Sequence, residues 1–163
     1  MISKLIILTA LSMTALCAEE LKVIADAFKG DQKKGISSFS GNVRLSKGKD
    51  ELNASKLTIY TDAENKPTRY EADGDVSFYI VTENQEKYRG TAQKALYLPG
   101  ENEYRFSNKV DLVRLDDYRR VRGDKVVVNM LHGQASAESA KDEPVIMIFT
   151  VDDKNSKSKS PSK

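Results

Sequence analysis

Few residues in this sequence have the types and spacing that chemistry needs. His132 is the one histidine; it stands beside Gly133 in a turn, with no Cys or acidic cluster at metal-ligand spacing around it. The pairs Asp50-Glu51, Asp116-Asp117 and Asp152-Asp153 are adjacent in loop stretches, which predicts solvated turn acids rather than an acid–base couple. No glycine-rich phosphate loop, nucleophile elbow or paired-histidine helix motif occurs. A catalytic residue, a metal site and a cofactor are therefore not expected. Arg119, Arg120 and Arg122 surround Tyr118 and Val121. In a strand, Arg120 and Arg122 share one face and Arg119 takes the other. Such a run is either a solvated strand face or a contact for anionic head groups, since arginine grips phosphate bidentately. Glu51-Leu52-Asn53-Ala54-Ser55 has the form of a bacterial N-glycosylation sequon centred on Asn53.

The informative constellation is apolar and repeated. Gly41-Asn42-Val43-Arg44-Leu45 is echoed by Gly74-Asp75-Val76-Ser77-Phe78 and by Asn108-Lys109-Val110-Asp111-Leu112, at spacings of 33 and 34 residues. Each copy is a turn running into alternating apolar and polar residues. A matching segment follows each, with a Lys two residues after a small residue: Ala54-Ser55-Lys56, Ala92-Gln93-Lys94 and Gly123-Asp124-Lys125. A fixed period of this length indicates a stacked or wound architecture. Here the unit is strand, hairpin, strand. One apolar stripe results, comprising Val43, Leu45, Leu57, Ile59, Val76, Phe78, Ile80, Tyr97, Phe106, Val110, Leu112, Val126 and Val128. The alternation serves a packed core and a lipid-holding lumen equally. Leu96 and Leu98 point opposite to Ala95 and Tyr97, and either pair fits the inner face.

The elements that must position this stripe are strands. No stretch after residue 20 shows a long 3.6-residue period, and ten to fifteen strand-like segments alternate with turn signals, which is the pattern of a sandwich, barrel or roll. Leu21 to Phe28 reads as a first strand, and Gly30 to Gly35 as a turn. Ile36 to Phe39 is a short strand that continues through Val43 to Leu45, and Ser46 to Glu51 is a hairpin loop. Leu52 to Tyr60 returns, with its alternation broken near Ala54 by a bulge or change of face. Pro67 suits a strand start. Tyr88 to Leu98 is the next return, Pro99-Gly100 a turn, and Tyr118 to Met130 the last return. Ser136 to Glu143 is a polar loop or one helical turn. Val145 to Val151 is a continuous apolar run, either covered on both faces or an edge expecting a partner.

The chain of 163 residues supports one domain, residues 19–151, and its net charge of +2 gives no argument for nucleic acid. Residues 1–18 have the form of a signal peptide: Lys4, an apolar run from Leu5 to Leu16, and small residues at Cys17-Ala18. The run is about half the roughly 20 residues that a spanning helix requires. Cleavage is expected after Ala18, with Cys17 the alternative. Leu16 before Cys17 argues against lipidation there. With Cys17 removed, the exported chain has no thiol chemistry. The Lys/Ser-rich tail, residues 152–163, has too little apolar surface to order itself.

Ala25-Asp26-Ala27, Lys34-Gly35, Gly41-Asn42-Val43 and Ala54-Ser55-Lys56-Leu57-Thr58-Ile59-Tyr60 resemble the OstA-like repeat. That repeat belongs to the family of LptA-type periplasmic lipopolysaccharide transport proteins. The resemblance runs from about Leu21 to Asn129, strongest in the first copy, and does not reach Val145 to Val151 or the tail. It implies an all-β, twisted jelly roll of antiparallel strand–hairpin–strand units, open at both ends. It implies a periplasmic protein whose interior shields the acyl chains of lipid A. The implied partners are lipopolysaccharide, an LptC-type inner-membrane protein, an LptD-type outer-membrane protein, and further copies joined head to tail by edge-strand pairing. A second reading is a secreted structural or carbohydrate-binding β-roll with a filled core and exposed aromatic platforms at Tyr60, Tyr79 and Tyr118.

Overall fold

The computed structural model describes residues 20–140 and 143–150. The expected leader, Val151 and the tail, with its pair Asp152-Asp153, lie outside the described residues. Ten antiparallel strands form one sheet: β1 (Leu21–Ile24), β2 (Ala27–Asp31), β3 (Ile36–Lys47), β4 (Asp50–Thr61), β5 (Pro67–Val81), β6 (Lys87–Leu98), β7 (Glu103–Arg114), β8 (Arg120–Asn129), β9 (Gln134–Glu138) and β10 (Ile146–Ile148). Strands β3 to β8 pair in sequence order. Both β1 and β2 lie along β3, and both β9 and β10 lie along β8.

The repeat in the sequence is a row of β-bulges across this sheet. Gly41-Asn42 on β3, Gly74-Asp75 on β5 and Asn108-Lys109 on β7 all have positive φ, between 45° and 79°. The ladder slips at each, between Ser40 and Val43, Asp73 and Val76, and Ser107 and Val110. Glycine serves two of the three sites because a left-handed residue with a Cβ is strained and a Cβ here would collide. At Gly74 it would lie 2.9 Å from the Ser55 side chain, and at Gly41 it would press into the Asp26 carboxylate. The Lys of each copy marks where pairing resumes: Lys56 opposite Ser40, Lys94 opposite Asp73, Lys125 opposite Ser107.

Bulges bend strands, and a row of them folds the sheet along a line into two leaves. The first leaf contains β1, the second part of β3, the first of β4, the second of β5, the first of β6, the second of β7, the first of β8, and β10. The second leaf contains β2, β9 and the remaining halves. Phe78 of the first leaf stacks on Phe106 of the second, with ring centroids 3.8 Å apart. The inward face changes parity at the bulge row on the return strands. Ala54 gives way to Leu57 and Ile59 on β4, and Ala92 to Ala95 and Tyr97 on β6. The inner face of β6 is therefore that of Ala95 and Tyr97. Leu96 pairs with Glu71 and Arg105 on the outside.

Several expectations need correction. The first segment is two strands, broken at Ala25-Asp26. Asp26 N–H donates to the Gly41 carbonyl at 2.9 Å, and its carboxylate accepts from Asn42 Nδ2 at 2.8 Å, so the chain crosses the bulge row there. The β3–β4 loop is only the Gly48-Lys49 turn, with Gly48 at φ 58°. The polar stretch after Gly133 holds a strand, β9, made by pairing with Lys125 to Asn129 rather than by apolar alternation. β10 is an exposed edge, not a covered strand: Ile146, Met147 and Ile148 are 45%, 55% and 49% exposed.

Candidate functional site

Within the folded sheet, Val43, Leu57, Ile59, Val76, Phe78, Ile80, Phe106, Val110, Leu112, Val126 and Val128 form one buried cluster. Leu45 and Tyr97 are partly buried and pack against it. The whole predicted stripe is thus brought together. The sequence reading missed Tyr70, Ala72, Tyr88 and Tyr104, which are buried in the same cluster, and Leu21, Val23, Phe39 and Leu52 at its margin. Period-2 alternation was the available signal: Tyr70 and Ala72 keep step with Val76, and Tyr104 with Phe106.

The interior differs along its length. Toward β8 it is solid, with Val126 and Val128 at 0% exposure. Stacked rings run through the middle, Tyr104 lying 5.9 Å from Phe106 and Tyr97 4.4 Å from Tyr104 between centroids. Toward β1 the two leaves face each other across a cavity of about 30 Å³, room for about one water molecule. Leu21, Leu45, Leu52 and Ile80 line it from the first leaf; Leu57, Tyr70, Ala72, Ala95, Tyr97 and Tyr104 line it from the second.

Opposite the bulge row, the hairpin tips of the two leaves meet in a seam. Near β8, Glu83 N–H donates to the Met130 carbonyl at 3.1 Å, Asn84 Nδ2 to the Leu131 carbonyl at 3.4 Å, and Tyr88 Oη to the Gly133 carbonyl at 3.0 Å. Arg114 reinforces this end by bonding Glu86 through Nη1 at 2.9 Å and gripping Asp117 through Nε and Nη2. That guanidinium, with help from Arg119, holds the Asp117 carboxyl down at about 2. Nearer β1, Tyr104 Oη donates to Asp50 Oδ2 at 3.0 Å, and Asp50 Oδ1 accepts from Val81 N–H at 2.9 Å. Burial, then the Asp50 charge, pushes the Tyr104 hydroxyl well above its ordinary value, so it stays a donor. Asp50 and Asp117 are consequently not the free turn acids that their sequence suggests.

The arginine run lies outside the core and is engaged by carboxylates. Arg120 bonds Asp111 through two nitrogens at 2.7 and 2.6 Å, Arg122 adds a third bond at 3.0 Å, and Arg119 pairs with Asp117 at 2.7 Å. Arg120 foremost, then Arg122, lowers the Asp111 carboxyl below its usual range. Of the aromatic platforms, Tyr60 is covered by Arg69 at 3.9 Å and Tyr79 faces Arg89 at 5.8 Å; Tyr118 is exposed. Asn53 faces outward on β4 and bonds Ser77 Oγ at 3.2 Å. His132 is exposed in the turn after β8, its backbone N–H bonded to Asn129 Oδ1. Among the described residues, no three His, Cys, Asp or Glu side chains converge as a metal site.

The family model described as LptA/(LptD N-terminal domain) LPS transport protein matches residues 22–134. The chain belongs to this family. The match covers β1 through the start of β9, and so both leaves and the bulge row. The fold is similar to the crystal structure of LptH, the LptA homologous periplasmic component of the conserved lipopolysaccharide transport device from Pseudomonas aeruginosa. The TM-score is 0.71 at 15% identity, over 82% of this chain and 96% of that one. At that identity the likeness speaks for the jelly-roll fold. No curated protein matches the chain.

Proposed function

We propose that this LPS transport family member works in the periplasm, after loss of its leader, as a lipopolysaccharide-binding bridge that shields lipid A acyl chains between its two leaves. The observation that supports this reading is the incompletely filled apolar interior between β1 and β6, a cavity of about 30 Å³, in a member of that family. An acyl chain of about a dozen carbons gains roughly 10 kcal/mol on leaving water, at about 0.8 kcal/mol per methylene. Parting the leaves costs contacts across a cavity that is already incompletely filled, plus a hydrogen bond to a carboxylate worth about 1.5–3 kcal/mol. Spread apolar contact rather than one tight pocket also lets the lipid move on. The deep stripe residues form the floor in this proposal, and Leu45 and Tyr97 the rim. Head-group phosphates reaching Arg119, Arg120 or Arg122 would exchange with the carboxylates of Asp117 and Asp111.

The two ends of the sheet supply the joining surfaces of the bridge. β1 and β2 expose Ile24 and Phe28, while β10 and the residue after it expose Ile146 to Phe149. Edge strands normally invite aggregation; here they would continue one sheet into the next by strand addition. The neighbours would be further copies, an LptC-type protein at the inner membrane and an LptD-type protein at the outer membrane.

The test is photocrosslinking in living Gram-negative cells. A photoreactive residue replaces Leu45, Ile59, Phe78 or Val110 in turn, with outward-facing Ser77 and Lys56 as controls. Lipopolysaccharide adducts at inward sites alone are expected, strongest at Leu45, which lines the cavity. A folded protein without adducts at any site would leave the packed-core reading standing.

A further inference from the structure

We infer that acyl chains enter this roll from its side, through the part of the seam between the β3–β4 turn and strands β6 and β7, and that the hydrogen bond from Tyr104 to Asp50 is the catch holding that part shut. The inference rests on the lipid-binding reading above and adds a door to it. The seam is unequally closed. Near β8 three hydrogen bonds tie tip to tip, and the interior behind them is filled. Nearer β1 the leaves meet across the cavity of about 30 Å³, which is too small for any acyl chain, so one leaf must move.

Asp50 is built to stay with the first leaf when it does. Its Oδ1 is held by the Val81 backbone N–H of the same leaf, while Oδ2 alone reaches across to Tyr104. Opening this part of the seam breaks the Tyr104 contact and draws the Lys47 ammonium away from the Tyr97 ring. The wall they guard includes Ala72 and Ala95, the smallest side chains facing the cavity, which leave the space that a methylene chain would take. The same turn carries positive charge at the mouth. Lys47 Nζ sits 5.5 Å from the Tyr97 ring centre, and Lys49 Nζ donates to Gln85 Oε1 at 3.1 Å. A lipid drawn in by its tails would leave its anionic phosphates outside, against these two ammonium groups.

Two cysteine pairs test the door in the exported chain: Asp50→Cys with Tyr104→Cys across the catch, and Asn84→Cys with Leu131→Cys across the tied end. Each carries a photoreactive residue at Leu45 and is exposed to purified lipopolysaccharide in two forms, oxidised and reduced. In the oxidised form the two thiols are joined as mixed disulfides through a short bis-methanethiosulfonate linker, because the Tyr104 ring separates the first pair by more than a direct S–S bond spans. Oxidation of the first pair should abolish the adduct and reduction restore it, while oxidation of the second should change nothing. Equal labelling of both oxidised forms would overturn lateral entry, and so would a block by the second pair alone. No adduct in either reduced form, with folding intact, would overturn the lipid-binding reading and the door with it. Tyr104→Phe keeps the ring and removes the catch. It should speed labelling by about tenfold, the scale of one lost charge-assisted hydrogen bond. An unchanged rate would overturn the assignment of the catch.

Discussion

The β5–β8 end and the β1–β4 end of the roll use the same alternation and finish it differently. At the first, large side chains meet across the leaves: Phe78 stacks on Phe106, and Val126 and Val128 are wholly buried. The tips there are tied by backbone and side-chain hydrogen bonds, with Arg114 between Glu86 and Asp117. At the second, Leu21, Leu45 and Leu52 face the small Ala72 and Ala95 and remain only partly buried. Local opening draws on the least buried and least bonded parts of a fold. One end is therefore tied tip to tip, while at the other the proposed opening has less packing and fewer cross-seam bonds to break.

The sharpest way to break this comparison is to truncate one large apolar side chain at each end. Phe106→Ala should destabilise by about 3–5 kcal/mol, the scale for a buried ring whose cavity cannot collapse. Leu45→Ala should cost roughly 1 kcal/mol, since its side chain is already partly exposed. Urea unfolding of both variants measures the difference. Equal losses would mean that the β1–β4 end is as firmly packed as the other.

Acid should weaken the tied end. The Asp117 carboxyl titrates at about 2 in the folded chain, below its unfolded value of about 3.9. A depressed folded value means that the carboxylate stabilises the fold fully above about pH 4, and that this contribution is lost as pH falls through about 2. Asp117→Asn should therefore flatten the pH dependence of stability between about pH 4 and 2, where the parent chain loses stability. A parent chain whose stability is flat across that window would show that the Arg114–Asp117 pair contributes little to the fold.

The core was legible and its fastening was not. Valine, phenylalanine and leucine at every second position mark an inner face wherever the chain goes, so the stripe could be read before the fold. The 33- and 34-residue spacing could be read too, although as repeated hairpins rather than as a bulge row. The difference lies in paired left-handed residues such as Asn42 and Asp75, whose conformation depends on the strands beside them. Tyr104 and Asp50 are 54 positions apart and meet only because the sheet folds. The arginine run looked like free charge because Asp111, which holds two of its members, lies on the neighbouring strand. β9 was hidden because its polar residues owe their conformation to pairing with β8.

The bulge row itself offers the smallest and most selective test. In the first two copies the row begins with Gly, at Gly41 and Gly74; the third, on β7, has Asn108 and Lys109 at φ 64° and 55°. Asn tolerates this region and Lys does not, at a cost of order 1–3 kcal/mol for a non-glycine residue held there. Lys109 is exposed, so its side chain contributes little packing that a substitution would remove. Lys109→Gly relieves the strain but adds freedom to the unfolded chain, which offsets part of the gain. The net expectation is a stabilisation of about 0.5–1 kcal/mol, read as a higher urea midpoint at unchanged slope. Because Lys109 lies on the bulge row, on the side opposite the seam and its catch, the gain should leave labelling at Leu45 untouched. A loss of stability would mean that the third bulge is set by its own residues. A gain would mean that the packed end imposes the bend on a sequence that would not choose it.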